Sequence, residues 1–354
     1  KRDSLNQPVF ADHTFRLNRD EYFYPASTVK LPVAALALEK INELGIEGLE
    51  MSTPMLTDSA FSGQTRVLYD SSSENNLPSI EHYIKKILLV SDNDAYNRLY
   101  EFLGRNYINE KLHEKGFSSA RIVHRLSLPM SEEENRWTNP VVFVQDGDTL
   151  YSKPILQAID DPDFSQGVLL GKGDMVGGEL VEGPKDFSRK NRLDLVDLHG
   201  IVQAIMKPEI VPEGSRFNLT DEDYRFLQKY MSMTPLQSDY PRYDPEHYWD
   251  SYVKFFMFGD TKLPMPKHIH IYNKVGAAYG YLIDAAYIQD HSAGIEFFLS
   301  AVIHTNNNGI FNDDTYEYDE TGFPFLARLG KAIYNYESER LAVPEESQKA
   351  GFLY

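Results

Sequence analysis

Three short motifs hold residues able to carry out covalent chemistry. Ser27 and Lys30 stand three positions apart where an apolar stretch begins, with Val33, Leu36, Ala37, Ile41 and Leu44 recurring at helical spacing. Residues three apart share one face of a helix, so the hydroxyl and the amine lie close together. A serine hydroxyl becomes a useful nucleophile when a neighbour takes its proton. A lysine can take it if burial and the positive end of a helix lower its pKa. Alone, Ser-x-x-Lys equally fits a capping serine beside a solvated lysine. It has company: Ser91-Asp92-Asn93 follows an apolar run, and Lys274-Val275-Gly276 lies in a strand-like segment after His270-Ile271-Tyr272-Asn273.

The elements around these motifs follow from periodicity. The spacing predicts a helix from the Ser27 motif into residues 31–44, entered through a turn at Pro25, and a second over residues 80–90 that delivers Ser91 at its end. Residues 95–103 form a third, stopped by Gly104, and 108–113 a short fourth. Residues 193–206 are amphipathic, with Leu195, Leu198, Val202 and Ile205 on one face; Thr220 and Asp223 make a near capping box for the helix after them. Alternation predicts strands through Lys274, over 281–288 and over 295–303, the last two joined by a hairpin at 290–294, before a closing helix over 323–336. Residues 8–10 and 14–17 alternate as an edge strand or hairpin would. Residues 58–76, with Gly63 and Ser71, Ser72 and Ser73, read as a solvated loop.

Within residues 141–192, Gln145-Asp146-Gly147-Asp148 predicts a tight hairpin turn. Gly171-Lys172-Gly173 lacks the following Lys-Ser/Thr and helix of a phosphate loop, so turns are the better account of the glycines at 167–183. Tyr248, Tyr252, Phe255 and Phe256 fall on one helical face, which predicts a packed helix; the aromatic segment 240–256 could also wall a cleft, since it feeds the Lys274 strand. His268 and His270 have no third ligand at metal spacing, and the acidic loop 306–320 lacks the calcium-loop order. No metal and no cofactor are called for.

The 354 residues carry a formal charge of −18, which argues against nucleic acid or an anionic membrane as partner. No stretch is long enough to span a bilayer. Cysteine is absent, which excludes disulfides and thiolate chemistry. The chain opens on Lys1, as a processed or truncated chain would.

Ser-x-x-Lys, Ser-Asp-Asn and Lys-x-Gly, in that order, make the chain resemble the class A β-lactamase-like serine hydrolases, within the penicillin-recognising serine enzymes. The resemblance runs from Tyr24 to Tyr336 apart from two insertions. It implies an α+β fold, β-lactamase/transpeptidase-like: an antiparallel sheet flanked by helices, with an all-helical subdomain inserted. Taken as one domain over 1–354, the helical subdomain covers about 50–220 with an insertion at about 141–192, and the sheet subdomain 1–30 and 265–340. Only 26 residues precede Ser27, so the family's leading helix is expected to be missing or to lie upstream.

The resemblance also implies roles. Ser27 is the nucleophile and Lys30 its proton acceptor; Ser91 relays the proton to the leaving group, helped by Lys274. Asn93 and the Gly276–Ala277 strand bind substrate, and the backbone N–H groups of Ser27 and Ala277 form the oxyanion hole. The family's deacylating glutamate stands two after an arginine and four before an asparagine; here those places hold Ser127, after Arg125, and Ser131, before Asn135. Val275 stands where the family usually has a carboxylate-binding threonine or serine. The expected function is therefore a serine hydrolase acting on a small-molecule or peptide amide or ester through a long-lived acyl-serine. The alternatives are a D-Ala-D-Ala-type peptidase, or a binding or sensor protein for a peptidoglycan-type ligand. Location is expected to be periplasmic or otherwise exported.

Overall fold

The computed structural model describes residues 9–60, 65–159, 162–165 and 167–342. Its centre is α1 (Lys30–Leu44), entered through a single 3₁₀ turn, Ala26–Val29. Residues 31 and 33–38 of α1 are buried almost completely, so this helix is core on every side rather than amphipathic. Pro32 is tolerated because it sits in the first turn, where its missing N–H costs no helical bond. Gly45 ends the helix in the left-handed conformation that glycine adopts without strain.

Around α1 pack α2 (Ile80–Val90), α3 (Asn93–Leu103) and α4 (Arg105–Glu114). Ser79 caps α2 by accepting from the His82 N–H, and Asp92 caps α3 by accepting from the Ala95 N–H. Ser91 is the joint between them, with φ of 61°, a left-handed backbone uncommon for a residue with a side chain. The later helices are the short α5 (Glu132–Arg136), α6 (Leu195–Met206), α7 (Asp221–Ser232) and α8 (Phe323–Ala342). The Thr220–Asp223 capping box forms as predicted.

The strands that carry Lys274 are β10 (Ile269–Ala278), β11 (Tyr281–Asp290) and β12 (Ile295–His304), antiparallel in that order. Alternation divides the sheet's faces. Ile271, Val275, Leu282, Ala286 and Ile288 face α8 and the segment 253–257; Ile283, Ala285 and Tyr287 join the core around α1 and α6. Lys274, one residue from Val275, therefore points to the α1 side.

The remaining strands lie mostly within residues 137–186. β1 (Met55–Thr57) pairs with β3 (Val141–Gln145), and β3 with β4 (Asp148–Lys153). Asp146 and Gly147 both have positive φ, the backbone predicted for this turn. β2 (Trp137–Thr138) pairs with β5 (Leu156–Gln157), and β6 (Leu169–Leu170) with β9 (Lys185–Asp186). β7 (Gly173–Val176) and β8 (Glu179–Glu182) form a hairpin, and β13 (Ile310–Phe311) adds to β7 in parallel. A Cβ at Gly171 would lie 2.6 Å from the Gly309 carbonyl, so this glycine serves close packing between the insertion and the loop after β12.

Three sequence expectations fail. Residues 9–23 form no strand; they are held by side chains, with the Phe10 ring on Phe298, Arg19 paired to Asp194 and the Tyr22 hydroxyl donating to the Asn191 carbonyl. Pro8 lies outside the described residues. Segment 240–256 is a chain of turns, not a helix: Pro241 and Pro245 interrupt it, and its aromatics pack on one another, Tyr248 tilted against Tyr243 and edge-on to Tyr252, each at 4.9 Å. The loop 58–76 is more than solvated surface. Asp70 accepts from the Ser72 hydroxyl and Lys86, and Ser72 meets buried His82 at 2.8 Å; Gly63 lies outside the described residues.

Candidate active site

The 3₁₀ turn places Ser27 at the N-terminal end of α1, half-buried, in front of fully buried Lys30. Ala26, immediately before Ser27, has φ of 47°. Left-handed backbone at a residue with a Cβ costs about 1–3 kcal/mol and persists where surrounding structure holds it. Here β10 supplies that hold. A Cβ on Gly276 would lie 2.8 Å from the Pro25 carbonyl and 3.2 Å from the Ala26 Cβ, so only glycine lets the strand approach the turn. β10 is an edge strand, and Ala277, exposed beside Gly276, lies on the part of it that borders the turn.

The two lysines meet at Ser91. Lys30 Nζ donates to the Ser91 carbonyl, to Ser91 Oγ at 3.3 Å and to Asn93 Oδ1 at 2.6 Å. Lys274 Nζ donates to the same Ser91 Oγ at 2.8 Å and to the Val275 carbonyl at 2.9 Å. The joint between α2 and α3 makes this possible, because its left-handed turn aims both the carbonyl and the hydroxyl of Ser91 at the cleft between the helices and β10. Asn93 has its other end fixed by Ser127, whose Oγ accepts from Nδ2 at 2.7 Å.

Burial sets the charges. The Lys30 amine is lowered to about 7 by desolvation, which the carboxylate of Asp92 partly opposes. Lys274 is lowered well below the ordinary lysine value, first by desolvation and then by the like charge of Lys30. Two amines around one hydroxyl, both pushed toward neutrality, can accept and pass a proton near neutral pH.

The structure thus gathers Lys30, Ser91, Asn93 and Lys274 by direct hydrogen bonds, with Gly276 against the turn that carries Ser27. One expectation changes. Among the described residues, the hydrogen bonds of Lys30 go to Ser91 and Asn93, and none joins its amine to the Ser27 hydroxyl. Val275 faces the core beneath the sheet and brings no hydroxyl.

Residues 125–135 fold into a pinned loop whose partners were not read from sequence. Buried Arg125 donates to Glu101 at 2.8 Å and to the Trp137 carbonyl, while Asn135 accepts from the Arg125 N–H. His124 is half-buried, stacked on Tyr24; desolvation lowers it to about 4, so it is a neutral structural histidine. The loop brings Ser127 to Asn93. The carboxylates of α5 turn elsewhere: Glu132 pairs with Arg189, Glu133 accepts from Trp137 Nε1 at 3.0 Å, and Glu134 closes a capping box on Ser131. Among the described residues no group of three His, Cys, Asp or Glu is placed to hold a metal ion, and no helix is long and apolar enough to cross a membrane.

Residues 9–166 match the family model described as the Beta-lactamase enzyme family. No curated protein matches the chain. Among solved structures, a class A β-lactamase from Mycobacterium abscessus superposes with a TM-score of 0.50 at 14% identity, over 90% of this chain and 86% of that one. A class A β-lactamase from Clostridium kluyveri gives 0.50 at 15% identity, over 94% and 88%. Identities this low speak for the fold, which is α+β and β-lactamase/transpeptidase-like. Residues 9–166 thus match the Beta-lactamase enzyme family, and the chain shares its fold with class A β-lactamases.

Proposed function

We propose that the protein is a serine hydrolase that cleaves a small-molecule or peptide amide or ester through an acyl-Ser27 intermediate. The observation that carries this reading is the convergence of Lys30 and Lys274 on the hydroxyl of Ser91, beside the turn that presents Ser27. Lys30 takes the Ser27 proton as Oγ bonds to the carbonyl carbon, directly or through water. The N–H groups of Ser27 and Ala277 receive the oxyanion; aimed donors of this kind are worth roughly 3–4 kcal/mol each. Ser91 then hands its proton to the leaving atom as the bond breaks, the proton that Lys30 took from Ser27 passes to Ser91 in its place, and Lys274 holds the Ser91 hydroxyl by its hydrogen bond. Asn93 holds the substrate's amide and keeps Lys30 in place. Substrates would be β-lactam-like or peptidoglycan-like, which agrees with an exported location; both follow from the resemblance.

Release of the acyl group needs a base on water. Ser127 and Ser131 stand at the two places where the family's spacing would put its glutamate, and the three α5 carboxylates are engaged with Arg189, Trp137 and Ser131. Deacylation is therefore expected to be slow. Mixing the protein with a chromogenic cephalosporin should give a burst of about one equivalent and then little turnover. Fast steady-state hydrolysis lost in one Glu→Gln variant of residues 132–134 would contradict slow release and restore a plain β-lactamase. No burst with any acylating probe would favour the binding or sensor reading.

A further inference from the structure

Lys254 interrupts the apolar run 253–258, yet it is fully buried. Burying an amine is unfavourable unless it is paired, and an apolar side chain of similar volume would often be at least as stable. Its partners explain how it is kept. Lys254 Nζ donates to the Met231 carbonyl at the end of α7 and to Asn273 Oδ1 at 2.8 Å. Asn273 Nδ2 donates to the Val253 carbonyl and to Asp284 Oδ1, each at 2.8 Å. Asp284, also fully buried, accepts from the N–H groups of Phe255 and Phe256 at 3.1 Å.

This chain of bonds lies on the α8 face of the sheet, directly behind the catalytic strand. Asn273 precedes Lys274, and Asp284 is the register partner of Val275. Desolvation lowers Lys254 to about 7 and raises Asp284 to about 6, so both sit where small changes alter charge. Its own burial aside, Lys30 from α1 and Lys254 push Lys274 toward neutrality, Asp284 from β11 opposes them, and Ser91 Oγ and the Val275 carbonyl take its hydrogen bonds. The field at Lys274 therefore comes from both faces of the sheet.

We propose that Lys254 and Asp284 are a buried positioning pair that sets the charge carried by Lys274 from the far face of the sheet, with Asn273 as their hydrogen-bonded bridge. The role in catalysis rests on Lys274 serving Ser91 as proposed above; the electrostatic coupling itself does not. The pair touches no substrate and acts only through Lys274.

The test is a side-chain NMR titration of Lys274 in the full chain and in K254M, D284N and the double variant, paired with the pH profile of acylation by a penicillin. K254M removes a like charge and should raise the Lys274 midpoint by about one pH unit; D284N removes an attracting charge and should lower it by a similar amount. The double variant carries neutral, similarly sized side chains, and its midpoint should fall between those of the single variants. It also keeps the test open if either lone charge impairs folding. The acylation profile should move with the titration. Midpoints and profile that stay put in all three variants overturn the proposal. Midpoints that move in opposite directions support the coupling even if no variant, nor the parent, is acylated; that last result would sink the hydrolase reading alone.

Discussion

Replacing Lys30 by methionine is expected to slow acylation of Ser27 by about 10²–10⁴-fold, the range for removal of a general base. In the parent protein the rate should climb as Lys30 loses its proton, with a midpoint near its lowered value of about 7. The methionine variant should lose that limb. Stability should rise with pH as well. Lys30 binds fewer protons folded than unfolded between about pH 7 and the ordinary lysine value of 10.5. Its contribution to stability therefore rises with pH across that window and is least favourable below it. The melting temperature of K30M relative to the parent should consequently be highest on the acid side of pH 7. A variant with an unchanged acylation profile would show that another group accepts the Ser27 proton.

Ser91→Ala should produce the next largest loss, about 10²–10³-fold in acylation by an amide or β-lactam. The hydroxyl is the shared acceptor for Lys274 at 2.8 Å and Lys30 at 3.3 Å, so its removal breaks the path between the sheet and the helix. The loss should depend on the leaving group. An activated ester, whose leaving oxygen needs no proton, should be affected far less than an amide. Equal losses for both would assign Ser91 to holding Lys30 and Lys274 in place rather than to proton delivery.

Much of this centre was legible in the sequence because two of its motifs sit at helix ends and the third within a strand. The 3.6-residue period before Ser91 and the period of two around Lys274 pointed to the helix and the strand on which the structure carries them. What periodicity cannot show is which acceptor a buried amine selects; Lys30 bonds Ser91 and Asn93 rather than Ser27 because the left-handed joint at Ser91 turns those oxygens toward it. Segment 240–256 misled because Tyr248, Tyr252, Phe255 and Phe256 happen to fit a helix, while two prolines and a buried lysine at 254 argue against one. The alternation at residues 8–17 imitated an edge strand although that part of the chain is anchored by Phe10 and Arg19 side chains. Lys254 and Asp284 did leave a trace: each is a lone charge in an otherwise apolar run, and two such charges of opposite sign are candidates to meet in the core.

The central claim is that Ser27 becomes covalently acylated. Intact-mass spectrometry after incubation with a penicillin, and separately with a fluorophosphonate, tests it directly, with peptide mapping of the adduct. The expected result is a single added mass on the peptide containing Ser27, the opened penicillin as an acyl ester or the phosphonyl group with fluoride lost, absent in a folded Ser27→Ala variant. An adduct that maps to Ser91 or persists in Ser27→Ala would contradict the claim.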